Sequence, residues 1–432
     1  MFQTLINAWK LPDLRKRLLF TALMLAIFQL GASIPVPGIP RDALAALLGL
    51  AGSVGADGAA SSGTVFDLLN IMSGGALEQA SIFAMSITPY VTSSIIIQLL
   101  TVAIPALERL QKEGEDGRKK LATWTRYTTV ILAFIQAAAL YVGLSQSGAV
   151  AEPGVLGFII ISFSFTAGTA FLMWMGEQIT EKGIGNGISM IIFAGIVSRM
   201  PQMLQQVWAA IVAGQLNWIM AIAILVLAVL VIAFVVVLND AERRIPVQYA
   251  KRVVGRKMYG GQSSHIPFKV LMAGVMPIIF ASSLMSFPST LANLFGEPSG
   301  FWKSVVDFIS PTSWFYSVFY FILIVFFTYF YTAMTYNPIE MGNNIKSNGG
   351  FVPGIRPGKP TSDFLSKVLN RVTFIGAICI ALIAVLPMFM SSQNMVVAFG
   401  GTSILIMVGV AIETYRQIES QLLMRHYKGF LE

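Results

Sequence analysis

The chain has 432 residues, of which 55% are hydrophobic and 12% are charged, and its formal net charge is +8. This composition excludes an ordinary water-soluble domain, which needs far more charged surface, and it indicates a chain that lies mostly in lipid. The single cysteine, Cys379, excludes an intrachain disulfide, and the two histidines are too far apart in sequence to suggest a shared metal site.

Ten apolar stretches follow one another along the chain, and each can cross a hydrocarbon core that requires about 20 helical residues. They lie near residues 18–34, 77–104, 122–144, 155–175, 184–200, 217–238, 270–290, 314–335, 372–390 and 398–413. The first follows Arg15, Lys16 and Arg17, as in a signal peptide, but proline-rich residues 34–38 stand where a cleavage site would be. We therefore expect this helix to be retained. The fold class predicted is an all-α integral membrane protein with ten transmembrane helices.

Connecting segments rich in Lys and Arg alternate along the chain with segments that have almost none. Of the 29 Lys and Arg residues, only Arg41, Arg199 and Lys303 fall in the five segments on one side of the ten-helix arrangement. Because Lys and Arg hold short loops in the cytoplasm, the opposite side, with both termini, is predicted to be cytoplasmic. The positive net charge is then explained by orientation and by anchoring to anionic lipid headgroups, rather than by nucleic-acid binding.

The interiors of the apolar stretches carry essentially no Asp, Glu, Lys or Arg. An ion-coupled transporter usually keeps such residues at membrane depth, at a cost of ~2.5 to 3.5 kcal/mol each. Residues 354–360 lack the spacing of a phosphate-binding loop, and no Ser/His/Asp or Cys/His arrangement appears. We therefore expect no enzyme activity, no cofactor and no metal site, so any energy input must come from a partner.

Two irregular segments interrupt the plain helices. Residues 64–75 are too short to span and end in a glycine pair; they either fold back into a protein-lined cavity or form an interfacial helix on the outer surface. Residues 183–189 contain three glycines between membrane helices. This context argues against a dinucleotide fingerprint and favours a helix start with close backbone packing.

These segments also carry a family resemblance. Residues 73–77, 89–100, 176–189, 337–338 and 351–358 resemble the SecY family of protein-conducting channel subunits, and the similarity runs from residues 34–38 to 400–403. The resemblance implies two five-helix halves, residues 1–200 and 201–432, related by inverted pseudo-symmetry. The halves would enclose an hourglass pore that opens across the membrane and sideways into lipid.

The resemblance implies a constriction ring of six aliphatic residues: Ile87, Val91, Ile188, Ile192, Ile279 and Ile406. The first two pairs are spaced i, i+4 and share a helix face. Branched side chains there can exclude water and ions yet spread around a passing chain. Without the resemblance, such residues would be read as ordinary core. Val91 is smaller than the isoleucine common in bacterial relatives.

The resemblance makes the segment near 64–75 a plug that sits outside the ring in the resting channel. Its residues are Phe66, Asp67, Leu68, Leu69, Asn70, Ile71, Met72, Ser73, Gly74 and Gly75. The second and third helices would face the seventh and eighth as a lateral gate, with Thr92, Gln136 and Phe287 as gate candidates. Ordinary interhelical hydrogen bonding is the alternative role of the polar residues there.

Two cytoplasmic loops are longer and more basic than topology requires, and loops of this kind make docking surfaces. In the family they receive the SecA motor ATPase or the ribosome. The docking residues implied are Arg243, Arg244, Lys251, Arg252, Arg256, Lys257, Arg356 and Lys359. Arg356 stands in a proline-braced turn, and its alternative role is one more charge that sets topology.

The function expected is a passive channel subunit of a bacterial plasma-membrane translocase, which exports unfolded preproteins and releases membrane proteins sideways into lipid. The partners expected are SecE as an obligate subunit, SecG, SecA, the ribosome, signal peptides, nascent chains and anionic lipids, with YidC and SecDF as further candidates. A secondary transporter for a small solute is the runner-up, and it predicts a compact polar site at the midplane. Composition also leaves open a scaffold without a pore.

Overall fold

The computed structural model describes residues 2–40, 75–77, 79–146, 148–151, 153–214, 217–249, 252–254, 257–259, 263–292, 313–391 and 401–428. The helices in these ranges are α1 (Phe2–Lys10), α2 (Pro12–Gly31), α3 (Thr88–Ala103), α4 (Pro105–Lys112), α5 (Glu115–Gln146), α6 (Val155–Lys182), α7 (Gly187–Val212), α8 (Trp218–Asp240), α9 (Met276–Ala292), α10 (Trp314–Thr335), α11 (Pro338–Ser347), α12 (Lys359–Ser391) and α13 (Gly401–Lys428). The strands are β1 (Glu242–Tyr249), β2 (Arg252–Val254), β3 (Lys257–Tyr259), β4 (Ser263–Lys269) and β5 (Gly350–Phe351).

Each of the ten apolar stretches overlaps a helix, although the second and the seventh stretch begin well before their helices, at Thr88 and Met276. In the described ranges six helices are long and apolar enough to cross a membrane, and they lie in α5, α6, α7, α8, α10 and α12. Helices α3 and α4 form a pair bent by 102°, which makes a seventh span if the pair is counted as one. The chain is therefore a mostly helical, multi-pass membrane protein, whereas the count of ten spans stays a prediction.

Helices α6 and α7 approach each other closely where α7 begins. A Cβ atom at Gly187 would lie 1.9 Å from the carbonyl oxygen of Gly176, so only glycine fits. The Asn186 side chain accepts hydrogen bonds from the backbone N–H groups of Ile188 (3.1 Å) and Ser189 (3.5 Å) and caps the helix. The prediction of a helix start with close backbone packing is confirmed.

Outside the helical bundle, three strands form an antiparallel sheet in the order β4-β1-β5. In β1 the buried residues Ile245 and Val247 alternate with exposed neighbours, as the two-residue period of a strand requires. The two buried side chains join Phe268 and residues of α11 and α12 in a small separate core. The prediction of an all-α chain did not include this sheet.

The start of α7 provides a test of the packing. Gly187→Ala should lower the thermal unfolding midpoint in detergent, because overpacking against an immovable backbone atom costs about 1 to 3 kcal/mol. Gly176→Ala is the matched control on the facing helix, since its Cβ would meet Ile87, Ile188 and Ile191 at ordinary distances of 3.5 to 3.6 Å. An unchanged midpoint in the Gly187 variant would show that the two backbones can separate at little cost.

Candidate functional site

The six ring candidates lie near the beginnings of four helices. Two flank the start of α3, two occupy the first turns of α7, and one each lies in the first turn of α9 and the second turn of α13. In chain order they are Ile87, Val91, Ile188, Ile192, Ile279 and Ile406. Helix starts in a membrane protein need partners for their free N–H groups, so these positions are fixed by polar contacts as well as by packing.

All six side chains belong to or pack against one large buried apolar cluster, which also includes residues of α2, α6, α8, α10 and α12. Five of the six are at most 6% exposed, and the sixth, Ile188, is half-buried against the cluster. A Cβ at Gly176 would lie 3.5 Å from Cδ1 of Ile87 and 3.6 Å from Cγ1 of Ile188, so both side chains reach the same point on α6. Residues far apart in sequence thus converge, although their role as a pore constriction stays a prediction.

The chain that leads into α3 is held in a strained conformation. The N–H of Val36 donates to the carbonyl of Ala80 at 2.8 Å, and the N–H of Ile82 donates to the carbonyl of Ile34 at 3.1 Å. Ala80 and Ser86 have φ angles of 50° and 53°, a left-handed conformation that costs roughly 1 to 2 kcal/mol for a residue with a Cβ. The 34–38 motif therefore anchors the strained segment that sets the position of Ile87.

The start of α7 is held by hydroxyl groups from two other helices. The Thr21 hydroxyl of α2 accepts from the N–H of Ile184 at 3.1 Å, and the Thr180 hydroxyl of α6 accepts from the N–H of Gly187 at 2.8 Å. Together with the Asn186 cap, these bonds satisfy backbone groups that lipid cannot satisfy. Ile188 and Ile192 are thereby fixed relative to α2 and α6.

The three gate candidates lie on helices that contact one another. Helix α9 packs against both α3 and α5, and α10 packs against α9. Thr92 and Gln136 are buried on α3 and α5, and Phe287 is half-buried on α9. The helices that carry the three candidates are therefore in contact, whereas the gate itself stays a prediction.

Hydrogen bonds join α3 to α5. The Ser93 hydroxyl on α3 donates to the carbonyl of Thr125 on α5 at 3.0 Å and also contacts the Thr128 hydroxyl. By contrast, the Thr92 hydroxyl donates to its own helix at Thr88, and the Ser282 hydroxyl on α9 donates to Ile279. Separation of α9 from α3 would leave these bonds intact, so α3 and α5 can move as one unit.

The plug assignment falls almost wholly outside the described residues, since it covers Phe66 to Gly75 and the structure describes only Gly75. Gly75 has a φ of +86°, and a Cβ there would lie 3.3 Å from Nε of Arg199 on α7. The last residue of the predicted plug therefore lies against α7, a helix that contributes to the predicted ring. The role of the segment stays a prediction.

The two basic loops are joined by the sheet. Residue Gln248 of β1 pairs with Phe351 of β5, so the loop that carries Arg243 and Arg244 is bonded to the loop that carries Arg356. Arg243, Arg244, Arg356 and Lys359 are exposed. Arg252 and Lys257 lie in the short β2–β3 hairpin, whereas Lys251 and Arg256 are outside the described ranges.

The Arg356 turn is itself well braced. Its carbonyl accepts a hydrogen bond from the Thr361 hydroxyl at 2.8 Å. Gly354 and Gly358 on either side have φ angles of +83° and +104°, which favour glycine. The guanidinium is thus presented from a defined backbone.

The sheet meets the bundle through a group of charged residues. Arg416 of α13 donates to the carbonyl of Asn239 at 2.7 Å and to Oδ1 of Asp240 at 2.5 Å. Nearby, burial lowers the pKa of Lys269 at the end of β4, and the charge of Arg416 lowers this pKa further, partly offset by Glu242 and other carboxylates. The bonds of Arg416 join α13 to the end of α8, just before the chain enters β1. Within the described ranges, no group of three or more His, Cys, Asp and Glu residues could hold a metal ion.

The SecY family model matches residues 81–415. The chain is 45% identical to the protein translocase subunit SecY of Halalkalibacterium halodurans, with 100% of both chains covered. It is 43% identical to that of Thermotoga maritima, with 100% of this chain and 98% of the relative covered.

Two solved structures share the fold. One is described as "The structure of a protein conducting channel", with a TM-score of 0.65, 19% identity, and 94% of this chain and 92% of that chain covered. The other is "Sec61 in the Canine ribosome-channel complex from the endoplasmic reticulum", with a TM-score of 0.63, 18% identity and the same coverage.

The aliphatic cluster can be tested by truncation. Ile279→Ala should lower the unfolding midpoint in detergent, because a cavity in a packed interior costs about 2 to 5 kcal/mol. Ile375→Ala is the matched control, because Ile375 on α12 is 58% exposed and its loss leaves no cavity. Equal midpoints for the two variants would show that the cluster is loosely packed around position 279.

Proposed function

The chain belongs to the SecY family, and from this premise we propose that it is the central channel subunit of a protein translocase. It would form a passive pore that carries unfolded preproteins across the membrane and releases apolar helices sideways into lipid. The observation that carries the proposal is that six aliphatic side chains near the starts of α3, α7, α9 and α13 share one buried apolar core. The family consists of channel subunits rather than enzymes.

The proposed architecture has ten transmembrane helices in two halves, residues 1–200 and 201–432, with both termini in the cytoplasm of a bacterium. Ten apolar stretches that each overlap a helix support the count, and the near absence of Lys and Arg from one set of loops supports the orientation. The sheet and the Arg356 turn then lie on the cytoplasmic side. The ring helices α3 and α7 belong to one half, and α9 and α13 belong to the other.

The ring would seal the resting channel by apolar exclusion. An ion in an aliphatic constriction loses its hydration without gaining a polar partner, so its passage is unfavourable. A polypeptide can pass when the branched side chains and their helices move apart. A signal helix would separate α9 from the unit formed by α3 and α5, because the described bonds of Ser93 join those two helices to each other.

The cytoplasmic face would receive the energy source. SecA or a translating ribosome would dock on the sheet and the Arg356 turn, SecE and SecG would be the accompanying subunits, and anionic lipids would contact the basic loops. Ribosome complexes are named for two solved proteins that share this fold. A planar guanidinium on a rigid turn suits phosphate or carboxylate recognition better than a flexible ammonium.

The plug gives the first functional prediction. Deletion of residues 66–75 should leave an assembled channel that leaks ions at rest and accepts weaker signal sequences, because the ring loses its outer support. Resting conductance in planar bilayers measures the leak, and a deletion of residues 50–59 in the same outer loop is the control. Equal resting conductance in the wild type and in both deletion variants would contradict the assignment of residues 66–75 as a plug.

The lateral gate gives the second prediction. In a background with Cys379→Ser, the pair Thr92→Cys and Phe287→Cys should form a disulfide on oxidation and stop protein export, since it joins α3 to α9. The pair Ser93→Cys and Thr128→Cys is the matched control, because it joins α3 to α5 on one side of the gate. Both pairs are compared before and after reduction. Full export by the oxidised Thr92 and Phe287 pair would contradict a gate at this interface.

Arg356 gives the third prediction and tests the function as a whole. Vesicles that contain the purified complex, SecA and ATP should import a preprotein into a protease-protected space, whereas a solute transporter should not. Arg356→Glu should abolish this import and the stimulation of SecA ATP hydrolysis, and Arg356→Lys should reduce both, because Lys lacks the planar fork.

Lys346→Glu is the control for Arg356, since exposed Lys346 lies in the same connecting segment and the substitution changes the charge by the same amount. Near-normal import by Lys346→Glu with loss in Arg356→Glu supports a docking role. Near-normal import by both variants would show that Arg356 only sets topology. Failure of the wild-type vesicles to import any preprotein would overturn the proposed function itself.

A further inference from the structure

A small apolar core lies at the start of α7, separate from the large cluster that contains the ring candidates. Four elements contribute its buried members: Ala8 on α1, Leu14 on α2, Ile184 in the turn before α7 and Ile418 on α13. Each of these side chains is at most 3% exposed. Because α13 belongs to the proposed second half and the other three elements belong to the first, this α1–α13 core joins the two halves.

Helix α1 forms one wall of the α1–α13 core. Ala8 is fully buried, whereas Ile6 and Trp9 on the same helix are 57% and 52% exposed. A small residue at a contact allows two helices to approach closely. Helix α1 contacts α13 as well as α2, which follows it in the chain. It therefore bridges a helix of the first half and a helix of the second.

Polar contacts hold the turn before α7 in the same place. The Thr21 hydroxyl of α2 accepts a hydrogen bond from the N–H of Ile184 at 3.1 Å. The Thr414 hydroxyl of α13 lies 3.4 Å from the Met190 sulfur of α7, and a Cβ at Gly185 would lie 3.4 Å from the same hydroxyl oxygen. The turn is thus held between α2 and α13 by polar as well as apolar contacts.

The opposite end of α7 also contacts the second half. Residues 213–217 connect α7 to α8, and the rings of Trp208 and Trp218 meet edge to face across this link, with their centroids 6.1 Å apart. Helix α13 packs against α7 as well. The second half is therefore attached at both ends of α7, which in a helix of 26 residues lie about 39 Å apart.

Two attachments at the ends of one helix restrict how the halves can move. A rigid body held at one point can turn in any direction, whereas a body held at two points can rotate only about the line between them. The contact between α3 and α9 is held differently, because the hydroxyls of Thr92 and Ser282 bond within their own helices. Helices α3 and α9 can therefore separate by a hinge rotation that leaves the α1–α13 core closed.

The position of the core along the chain favours a contact that stays closed. Ala8, Leu14 and Ile418 lie outside the ten apolar stretches, so separation would expose their apolar side chains to water. Helices α3 and α9 belong to apolar stretches and would separate into lipid, where this hydrophobic cost does not arise.

We propose that the α1–α13 core is a fixed point of the channel, and that the second half rotates about α7 when the gate opens. Helix α1 acts as a clip that keeps α13 against the start of α7, while the α7–α8 link holds the other end of the axis. This role rests on the proposed function, because it requires a gate that opens between α3 and α9.

A cross-link tests whether the core stays closed during export. In the full-length complex with Cys379→Ser, the pair Ala8→Cys and Ile418→Cys should form a disulfide on oxidation and export a preprotein at the rate of its Cys379→Ser parent. The Thr92→Cys and Phe287→Cys pair, which joins the gate helices, is the contrasting case and should stop export.

Loss of export in the oxidised Ala8 and Ile418 pair, with recovery on reduction, would overturn the fixed point. Failure of this disulfide to form would overturn it as well, since the two helices would then not be in lasting contact. A parent that exports nothing would instead contradict the proposed function, so the two failures are distinguishable.

Truncation of the core provides a second test that does not depend on a disulfide. Ile418→Ala should raise the resting ion conductance of the complex in planar bilayers, because a loosened fixed point lets the second half shift relative to the ring. Leu423→Ala is the matched control on the same helix, since Leu423 is 65% exposed, and it should conduct like the wild type. A lowered unfolding midpoint in Ile418→Ala with wild-type conductance would show that the core only stabilises the fold, and would overturn the proposal.

Discussion

The structure depends on the requirement that backbone N–H groups at helix starts inside a membrane protein have partners. At the start of α7 these partners come from three places: Thr21 on α2, Thr180 on α6 and the adjacent Asn186. The same bonds fix how α7 lies against α6, where Gly187 meets the Gly176 carbonyl. Polar contacts at the start of α7 therefore position Ile188 and Ile192, which lie within the next two turns.

Rigidity and mobility are separated within the bundle. Helices α3 and α5 share hydrogen bonds through Ser93, and α6 and α7 share backbone contact, so each pair is stiff. Helix α9 packs against α3 and α5, while the hydroxyls of Thr92 and Ser282 are satisfied within their own helices. Separation of the helices would leave these two hydroxyls satisfied, so they add no desolvation penalty to opening in lipid.

Much of the helical fold could be predicted, because a bilayer imposes a minimum apolar length and charge fixes loop orientation. The ring could not be predicted from residue type, since Ile87 or Ile279 is indistinguishable from ordinary core; only the family resemblance singled it out. The sheet was missed although Ile245 and Val247 alternate, because a basic, proline-containing segment was read as a loop and its pairing with Phe351 is not local.

The contact between β1 and β5 is only two residue pairs long, Gln248 with Phe351 and Tyr249 with Gly350. It nevertheless makes the two basic loops one structural module, whose core includes Val247, Ile345 and Val352. During divergence, neither loop is free to change length or sequence alone without disturbing the other. Chimeras between relatives should accordingly tolerate exchange of both loops together better than exchange of either loop alone. We therefore expect the two loops to change together in evolution.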